Sequence, residues 1–252
     1  MSDRVAVARE GGVLSLTLNR PEKRNAMDTP MVDALVAALE QAELDPDVGV
    51  VEIRGAGKDF CAGADLAELL ASADNTPAQN AAQAARLGHV FVAIRELPKP
   101  VVAVVHGRAL AGGCGLATAS DIVLAHAESS FGYPEIHRGF VPAMVMAMLR
   151  RAVGEKVAFD LVATGRVLTA KEAASSGLVS RCIDADHFEE TVTAELRSLA
   201  DASPTALALI KKQLYELDGT TFREAIRLGS EVNSLARSTP DFRDAVSTFL
   251  NR

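Results

Sequence analysis

Hydrophobic and polar residues alternate one by one over positions 14–18, a pattern typical of a β-strand with one buried face. Over positions 30–44 the hydrophobic residues recur instead at three- and four-residue intervals, which is the period of an amphipathic helix. Thr29 and Pro30 stand at the start of this run, and such a pair predicts an N-cap followed by proline in the first helical turn. The chain is therefore expected to open with a strand followed by a helix.

Three further hydrophobic runs, at positions 48–53, 101–105 and 122–125, predict strands. The run at 101–105 is an unbroken series of apolar, mostly β-branched residues, which is typical of a strand buried on both faces. Between the first two runs, hydrophobic residues at helical spacing over 87–97 predict a helix that ends before Pro98. Strands and helices thus alternate through the first half of the chain, which indicates an α/β fold.

From Gly154 onward the patterns indicate helices only, and the sequence shows neither an internal repeat nor a linker. We therefore expect an α/β core with the active site over residues 1–195 and a helical region over residues 196–252. The helical region carries apolar residues that need a surface to cover, either on the core or on a neighbouring subunit. These residues are Phe222, Ile226, Val232, Phe242, Val246 and Phe249.

Composition and charge exclude several classes of function. The 252 residues carry 26 Lys and Arg against 33 Asp and Glu, a net charge of −7 without a basic cluster, which argues against nucleic-acid binding. No apolar run approaches the roughly 20 residues that a membrane-spanning helix needs, and the first residues do not resemble a signal peptide. The three widely spaced cysteines fit neither a disulfide framework nor a metal site. We expect a cytoplasmic protein without a metal that binds neither nucleic acid nor membranes.

Two segments combine a predicted strand, a tight turn of small residues and the start of a helix. They are residues 59–66, DFCAGADL, and residues 106–116, HGRALAGGCGL. Free backbone N–H groups and a partial positive charge lie at a helix N-terminus, and glycine lets a ligand approach the backbone closely. If the two turns face each other, their N–H groups would form an oxyanion hole. Each turn considered alone is more simply a connection between a strand and a helix.

A third segment, residues 131–142, places Glu135 among apolar residues, glycines and prolines. A carboxylate there is either a solvated loop residue or a buried acid whose pKa is raised by desolvation. The second alternative would suit proton transfer near neutral pH, but the residues alone favour the first. Cys61 and Cys114 flank the two turns without a histidine partner, and we interpret them as small buried residues.

Taken together, CAGADL, VVAVVHG followed by GGCGLA, SDIVLA and FGYPEI resemble the crotonase (enoyl-CoA hydratase/isomerase) family in their order and separations. The resemblance extends from NRPEKRNAM to DFRDAVSTFL and so covers nearly the whole chain. It implies an α/β fold made of a spiral of ββα units and a helical C-terminal trimerisation region. It also implies an acyl-CoA thioester substrate, a homotrimer or a dimer of trimers, and no cofactor beyond the coenzyme A of the substrate.

The resemblance also implies roles for individual residues. The N–H groups of Ala64 and Gly112 would stabilise the thioester oxyanion, and Glu135 would be the general acid and base. Residues that would bind coenzyme A, together with Ala64 and Gly112, are Lys23, Arg24, Ala26, Ala62, Asp65 and Leu66. Lys58 would add a further positive charge near the entrance.

Gly115 stands where simple enoyl-CoA hydratases of the family resemble one another in carrying a second glutamate. We expect the glycine to leave room for a bulkier or branched acyl group. Our first hypothesis is hydration of a branched or carboxylated 2-enoyl-CoA, of methylglutaconyl type, with the substrate carboxylate in place of the glutamate. The alternatives are isomerisation of a 3-enoyl-CoA to a 2-enoyl-CoA by Glu135 alone, and non-catalytic binding of an acyl-CoA.

A second departure from the family pattern is the segment over residues 142–149, PAMVMAML, where relatives often carry glycines. Methionines fill space with flexible apolar side chains. This segment is therefore expected either to form an altered apolar wall of the acyl pocket or simply to pack as part of a core helix.

Overall fold

The computed structural model describes residues 4–251, which contain nine strands and eleven α-helices. The strands are β1 (Val5–Glu10), β2 (Val13–Leu18), β3 (Val50–Gly55), β4 (Val101–Val105), β5 (Arg108–Leu110), β6 (Ile122–His126), β7 (Ser130–Gly132), β8 (Val167–Thr169) and β9 (Arg181–Ile183). The helices are α1 (Thr29–Leu44), α2 (Leu66–Ala71), α3 (Pro77–Glu96), α4 (Gly112–Ala119), α5 (Met146–Val153), α6 (Glu155–Thr164), α7 (Ala170–Ser176), α8 (Phe188–Ala200), α9 (Pro204–Glu216), α10 (Phe222–Ser238) and α11 (Pro240–Leu250).

Two sheets organise these elements. The larger sheet has the strand order β1-β2-β3-β4-β6-β9, with β1 antiparallel to β2 and the other pairs parallel. The smaller sheet has the order β5-β7-β8. All five residues of β4 are buried, which confirms the prediction of a strand covered on both faces. On one of these faces, Phe188, Val192 and Leu196 of α8 pack against the sheet.

The first helix begins as the hydrophobic pattern predicts, but its N-cap is a different residue. Asp28 has extended backbone angles, and its carboxylate accepts a hydrogen bond from the N–H of Met31 (3.0 Å). Thr29 is already inside the helix, and its hydroxyl donates to Glu68 (3.0 Å) instead. The prediction of Thr29 as the N-cap was therefore wrong by one residue.

The hydrophobic pattern predicted only helices after Gly154, and this prediction was wrong because two strands lie in this part of the chain. β8 pairs with β7, and β9 extends the larger sheet beside β6. Each of these strands has three residues, too few for an alternating pattern, and each forms only through a partner distant in sequence. The expected boundary between residues 195 and 196 lies within α8.

Helices α10 and α11 complete the chain without burying their apolar residues. Phe222 is 83% exposed and Phe249 is 76% exposed, while Ile226, Phe242 and Val246 are also exposed. Among the residues that the structure describes, no helix has the length and apolar character required to cross a membrane.

Candidate active site

The two turns rich in small residues lie side by side. The N–H of Cys61 donates to the carbonyl of Arg108 (3.0 Å). The first turn therefore lies beside β5, the strand that leads into the second turn. Gly63 has φ +101°, and a Cβ on this residue would lie only 3.2 Å from the nitrogen of Gly112. Glycine is thus required at position 63 both by its backbone conformation and by the approach of the other turn. The two turns thus meet the condition that the sequence analysis set for an oxyanion hole, namely that they lie against each other.

Ala64 and Gly112 present adjacent N–H groups at this junction. A Cβ placed on Gly112 would lie 3.8 Å from the nitrogen of Ala64. Within residues 4–251, neither N–H group has a hydrogen-bond acceptor, and α4, which begins at Gly112, has no side-chain cap. Ala111, before the helix, has φ 51° and ψ −129°, a strained conformation for a residue with a Cβ. Two unused backbone donors this close together are what an oxyanion hole requires.

A buried arginine and the loop that follows it hold the Ala64 turn in place. The loop residue Met27 donates its N–H to the carbonyl of Gly63 (2.8 Å) and accepts from the N–H of Asp65 (2.9 Å). The guanidinium of Arg20 donates to the carbonyl of Ala26 (2.7 Å) and to the carboxylate of Asp65 (2.9 Å). Sequence reasoning missed Arg20, although it lies in the NRPEKRNAM motif, because an arginine in a loop is usually solvated.

Glu135 lies in a 3-10 helix, Pro134–Arg138, that follows β7. Its side chain is buried, with the residue only 9% exposed, and its Oε2 has no hydrogen-bond partner. Desolvation raises the pKa of this carboxyl, opposed by its own backbone N–H and by the charge of Arg138. The interpretation of Glu135 as a solvated loop residue was wrong, since the residue is a buried acid suited to proton transfer.

Both cysteines beside the turns are protonated. Burial raises the pKa of Cys61 and that of Cys114 to about 12. A thiol of this kind is a poor nucleophile, since the reactive form is the thiolate. This agrees with the interpretation of both residues as small buried side chains.

Gly115 does not leave an open space for the substrate. A Cβ on this buried glycine would lie 2.5 Å from Cγ1 of Val145 and 3.0 Å from Cζ of Phe91. The expectation of additional room for a bulky acyl group was therefore wrong, because two apolar side chains occupy the volume. Val145 comes from the methionine-rich segment, so at this point the segment packs against α4.

Comparison with known proteins places these features in a family. A family model described as enoyl-CoA hydratase/isomerase matches residues 8–252. The chain belongs to this family. A Thermus thermophilus relative with an enoyl-CoA hydratase name is 39% identical over 96% of each chain. The 2,3-dehydroadipyl-CoA hydratase of Escherichia coli is 34% identical over 98% of this chain and 95% of that protein.

Solved structures of the family confirm the expected crotonase-like α/β fold. The crystal structure of an enoyl-CoA hydratase from Mycobacterium smegmatis superposes with a TM-score of 0.94 at 31% identity, covering 99% of this chain and 97% of that one. As a member of the enoyl-CoA hydratase/isomerase family, the protein is an enzyme, and the family implies an acyl-CoA thioester as its substrate.

Two segments that carry residues expected to bind coenzyme A lie side by side. The N–H of Ala62 donates to the carbonyl of Arg24 (3.0 Å), which brings the loop with Lys23 and Arg24 beside the CAGADL turn. Lys23, Arg24 and Lys58 are exposed, as the entrance of an anionic ligand requires. Their contacts with coenzyme A, and those of Ala26 and Leu66, stay predictions.

Asp65 has a structural role that the sequence did not reveal. Its carboxylate caps α2 by accepting from the N–H of Ala67 (2.9 Å) and also binds Arg20 (2.9 Å). These bonds lower the pKa of Asp65 against the opposing effect of desolvation. The carboxylate of Asp65 is thus engaged within the protein, and a contact of this residue with coenzyme A stays a prediction. In residues 4–251, no group of three or more His, Cys, Asp or Glu side chains could hold a metal ion.

Proposed function

We propose that this enzyme reversibly adds water to a 2-enoyl-CoA. Glu135 carries the proposal, because this buried carboxylate has an unused oxygen and its segment is attached through Tyr133 to α4, the helix that begins with the free N–H of Gly112. A buried carboxylate oxygen without a hydrogen-bond partner is costly for a folded protein, and groups of this kind occur where function requires them.

The chemistry follows from these three groups. The N–H groups of Ala64 and Gly112 bind the thioester oxygen and draw electrons away from C3. Ionised Glu135 takes a proton from water as the water oxygen bonds to C3, which produces an enolate held by the two N–H groups. Protonated Glu135 then gives its proton to C2, so one water is added and the carboxylate is regenerated. Each oxyanion donor typically contributes a factor on the order of 10²–10³ in rate.

We also propose that the acyl group is branched or carboxylated, as in a methylglutaconyl thioester. Since Gly115 replaces a second glutamate, a carboxylate carried by the substrate would help Glu135 to hold the water. The Escherichia coli relative named 2,3-dehydroadipyl-CoA hydratase supports this, because an adipyl group ends in a carboxylate. The argument from free volume at Gly115 no longer contributes, since Val145 and Phe91 fill it.

The second candidate is isomerisation of a 3-enoyl-CoA by Glu135 alone. The apolar surroundings of Gly115 favour this candidate, because Val145 and Phe91 offer no hydrogen bond to a water molecule. Glu135 would remove a proton from C2 of the 3-enoyl thioester and return it to C4, with the same two N–H groups binding the dienolate oxygen. No water is consumed in this reaction.

Mass spectrometry of the products distinguishes the two reactions. Straight 2-enoyl, straight 3-enoyl and 3-methyl-branched thioesters, with and without a terminal carboxylate, would be incubated in D₂O with the enzyme and with Glu135→Gln. We expect one added heavy water on the carboxylated or branched 2-enoyl substrates and none with the variant. A product with a shifted double bond and no added water would contradict hydration and support isomerisation instead. Bound but unchanged thioesters would overturn both reactions in favour of acyl-CoA binding alone.

We propose in addition that the enzyme assembles in the cytoplasm as a homotrimer or a dimer of trimers. The apolar residues exposed on α10 and α11, above all Phe222 and Phe249, would be covered by a neighbouring subunit. The three free cysteines fit a reducing compartment. Sedimentation equilibrium tests the assembly, and a monomer at micromolar concentration would contradict it.

A further inference from the structure

Two hydrogen-bonded hydroxyl groups, that of buried Tyr133 and that of half-buried Thr118, join the Glu135 segment to α4. The hydroxyl oxygen of Tyr133, a residue with 0% exposure, lies 2.7 Å from Oγ1 of Thr118. The Thr118 hydroxyl donates to the carbonyl of Cys114 (2.8 Å), so its single proton is already in use. Tyr133 therefore donates its hydroxyl proton to Thr118.

The direction of these hydrogen bonds is fixed at neutral pH. Burial raises the pKa of Tyr133 well above its usual value and that of Cys114 to about 12, so both groups keep their protons. The charge of Glu135, two residues further along the chain from Tyr133, adds to both shifts.

The same segment is attached to α4 at a second point. The N–H of Ala111, immediately before Gly112, donates to the carbonyl of Gly132 (2.8 Å). Thr118 lies six residues after Gly112, or about 9 Å further along the helix. The segment from Gly132 to Glu135 is thus held at both the start and the second turn of α4, which fixes its position along the helix.

We propose that Tyr133 is a positioning residue that sets the Glu135 carboxyl relative to the N–H of Gly112 through its hydrogen bond to Thr118. Packing alone would require only the ring of a phenylalanine, whereas a buried hydroxyl is costly unless it is hydrogen-bonded. The hydroxyl is therefore the informative part of the side chain. This inference rests on the proposed function, because it assumes that Glu135 transfers the proton.

The test compares Tyr133→Phe and Thr118→Val with the natural enzyme. A displacement of about 1 Å in a catalytic group can reduce the rate on the order of 10²-fold. We expect both variants to lower kcat by roughly 10- to 100-fold with KM nearly unchanged, because the thioester is still bound by backbone groups. The pH midpoint of the acid limb of kcat should move in both variants, since the Glu135 carboxyl changes its surroundings.

The matched control is Tyr215→Phe, which removes the other tyrosine hydroxyl of the chain. That hydroxyl donates to Asp121 (2.5 Å) in a cluster outside the site. We expect a lower melting temperature in this variant with kcat and its pH midpoint unchanged. An equal loss of kcat in Tyr215→Phe would assign the effect to general destabilisation and overturn the proposal.

Two outcomes separate this inference from the proposed function. Folded Tyr133→Phe with natural kcat and an unchanged pH midpoint, beside an inactive Glu135→Gln, would overturn the positioning role alone. An active Glu135→Gln would instead overturn the proposed function. Circular dichroism verifies that each variant is folded, and Thr118→Val keeps the test valid if Tyr133→Phe does not fold.

Discussion

Two buried charged side chains in this protein, Lys211 and Glu135, differ in how completely they are hydrogen-bonded. The ammonium of Lys211 donates to the carboxylate of Asp121 (2.7 Å) and to the carbonyls of Ile94 (2.7 Å) and Lys99 (2.9 Å), so all three of its protons are used. The carboxylate of Glu135 is equally buried, yet its Oε2 has no partner. Desolvation shifts the pKa of both groups, lowering that of Lys211 and raising that of Glu135.

The difference separates a structural group from a chemical one. Lys211 connects α9 to the helix and loop that precede β4, and every hydrogen bond it can make is already formed. Glu135 has an unused acceptor, which is available to water or substrate. A fully satisfied buried group contributes to stability, whereas a partly satisfied one reduces stability and is available for chemistry. Substitutions at the two residues should therefore separate activity from stability.

The largest expected effect is on activity, in Glu135→Gln. We expect kcat to fall on the order of 10²–10⁴-fold, the usual contribution of a general acid–base residue. The free energy of unfolding should stay the same or rise, because the amide is neutral and costs less to bury than a carboxylate. Turnover of a 2-enoyl-CoA and urea unfolding test the two statements. A variant that is both active and less stable would make Glu135 a structural residue.

The next effect is on stability, in Lys211→Met. Removing one partner of a buried ion pair typically costs about 3–5 kcal/mol, and Asp121 would lose its strongest donor. Turnover per folded molecule should not change, because the cluster lies outside the site. The control is Lys212→Met, since Lys212 is exposed and its ion pair with Glu216 (3.7 Å) should contribute about 0.3–0.5 kcal/mol. Equal losses of unfolding free energy in Lys211→Met and Lys212→Met would contradict the structural role of Lys211.

Much of the fold could be predicted because its signals are local. The strand at 101–105 and the helix at 30–44 appear in the hydrophobic pattern, and the turns around Ala64 and Gly112 appear as runs of small residues. Burial of Glu135 could not be predicted from its neighbours in the sequence, since Ile136 directly after it is exposed. Likewise, the space beside Gly115 is occupied by the side chain of Val145, a residue 30 positions further along the chain.

A smaller effect on stability is expected for Gly115→Ala. This variant tests whether side chains fill the space at the position where relatives carry a second glutamate. The added Cβ would meet Val145 at 2.5 Å, and overpacking of this kind costs about 1–3 kcal/mol. The control is Gly88→Ala in α3, where the added Cβ would meet only the flexible end of Met144 (3.2 Å). There the gain in helix propensity, up to about 1 kcal/mol, should offset the contact. Urea unfolding compares the two, and a stable Gly115→Ala would show that the volume is open.

The smallest expected effect is the pH dependence of stability that Glu135 itself causes. Its folded-state pKa lies above 4.5, so folded protein binds a proton more readily than unfolded protein between the two pKa values. Stability therefore falls as pH rises through that interval, and Glu135→Gln lacks this fall. The stability of the variant relative to the natural protein should increase with pH between the unfolded-state and the folded-state pKa of Glu135 and then level off.

Glu172 offers a control of opposite sign. Hydrogen bonds from Thr169 lower the pKa of this exposed carboxyl, so its contribution is present at neutral pH and lost as pH falls through the folded-state pKa. The relative stability of Glu172→Gln should thus decrease as pH rises, while that of Glu135→Gln increases. Urea unfolding at several pH values measures both, and parallel curves would mean that Glu135 is hydrogen-bonded and solvated in solution. Opposite slopes would instead separate the carboxylate that caps a helix from the one that is buried for proton transfer.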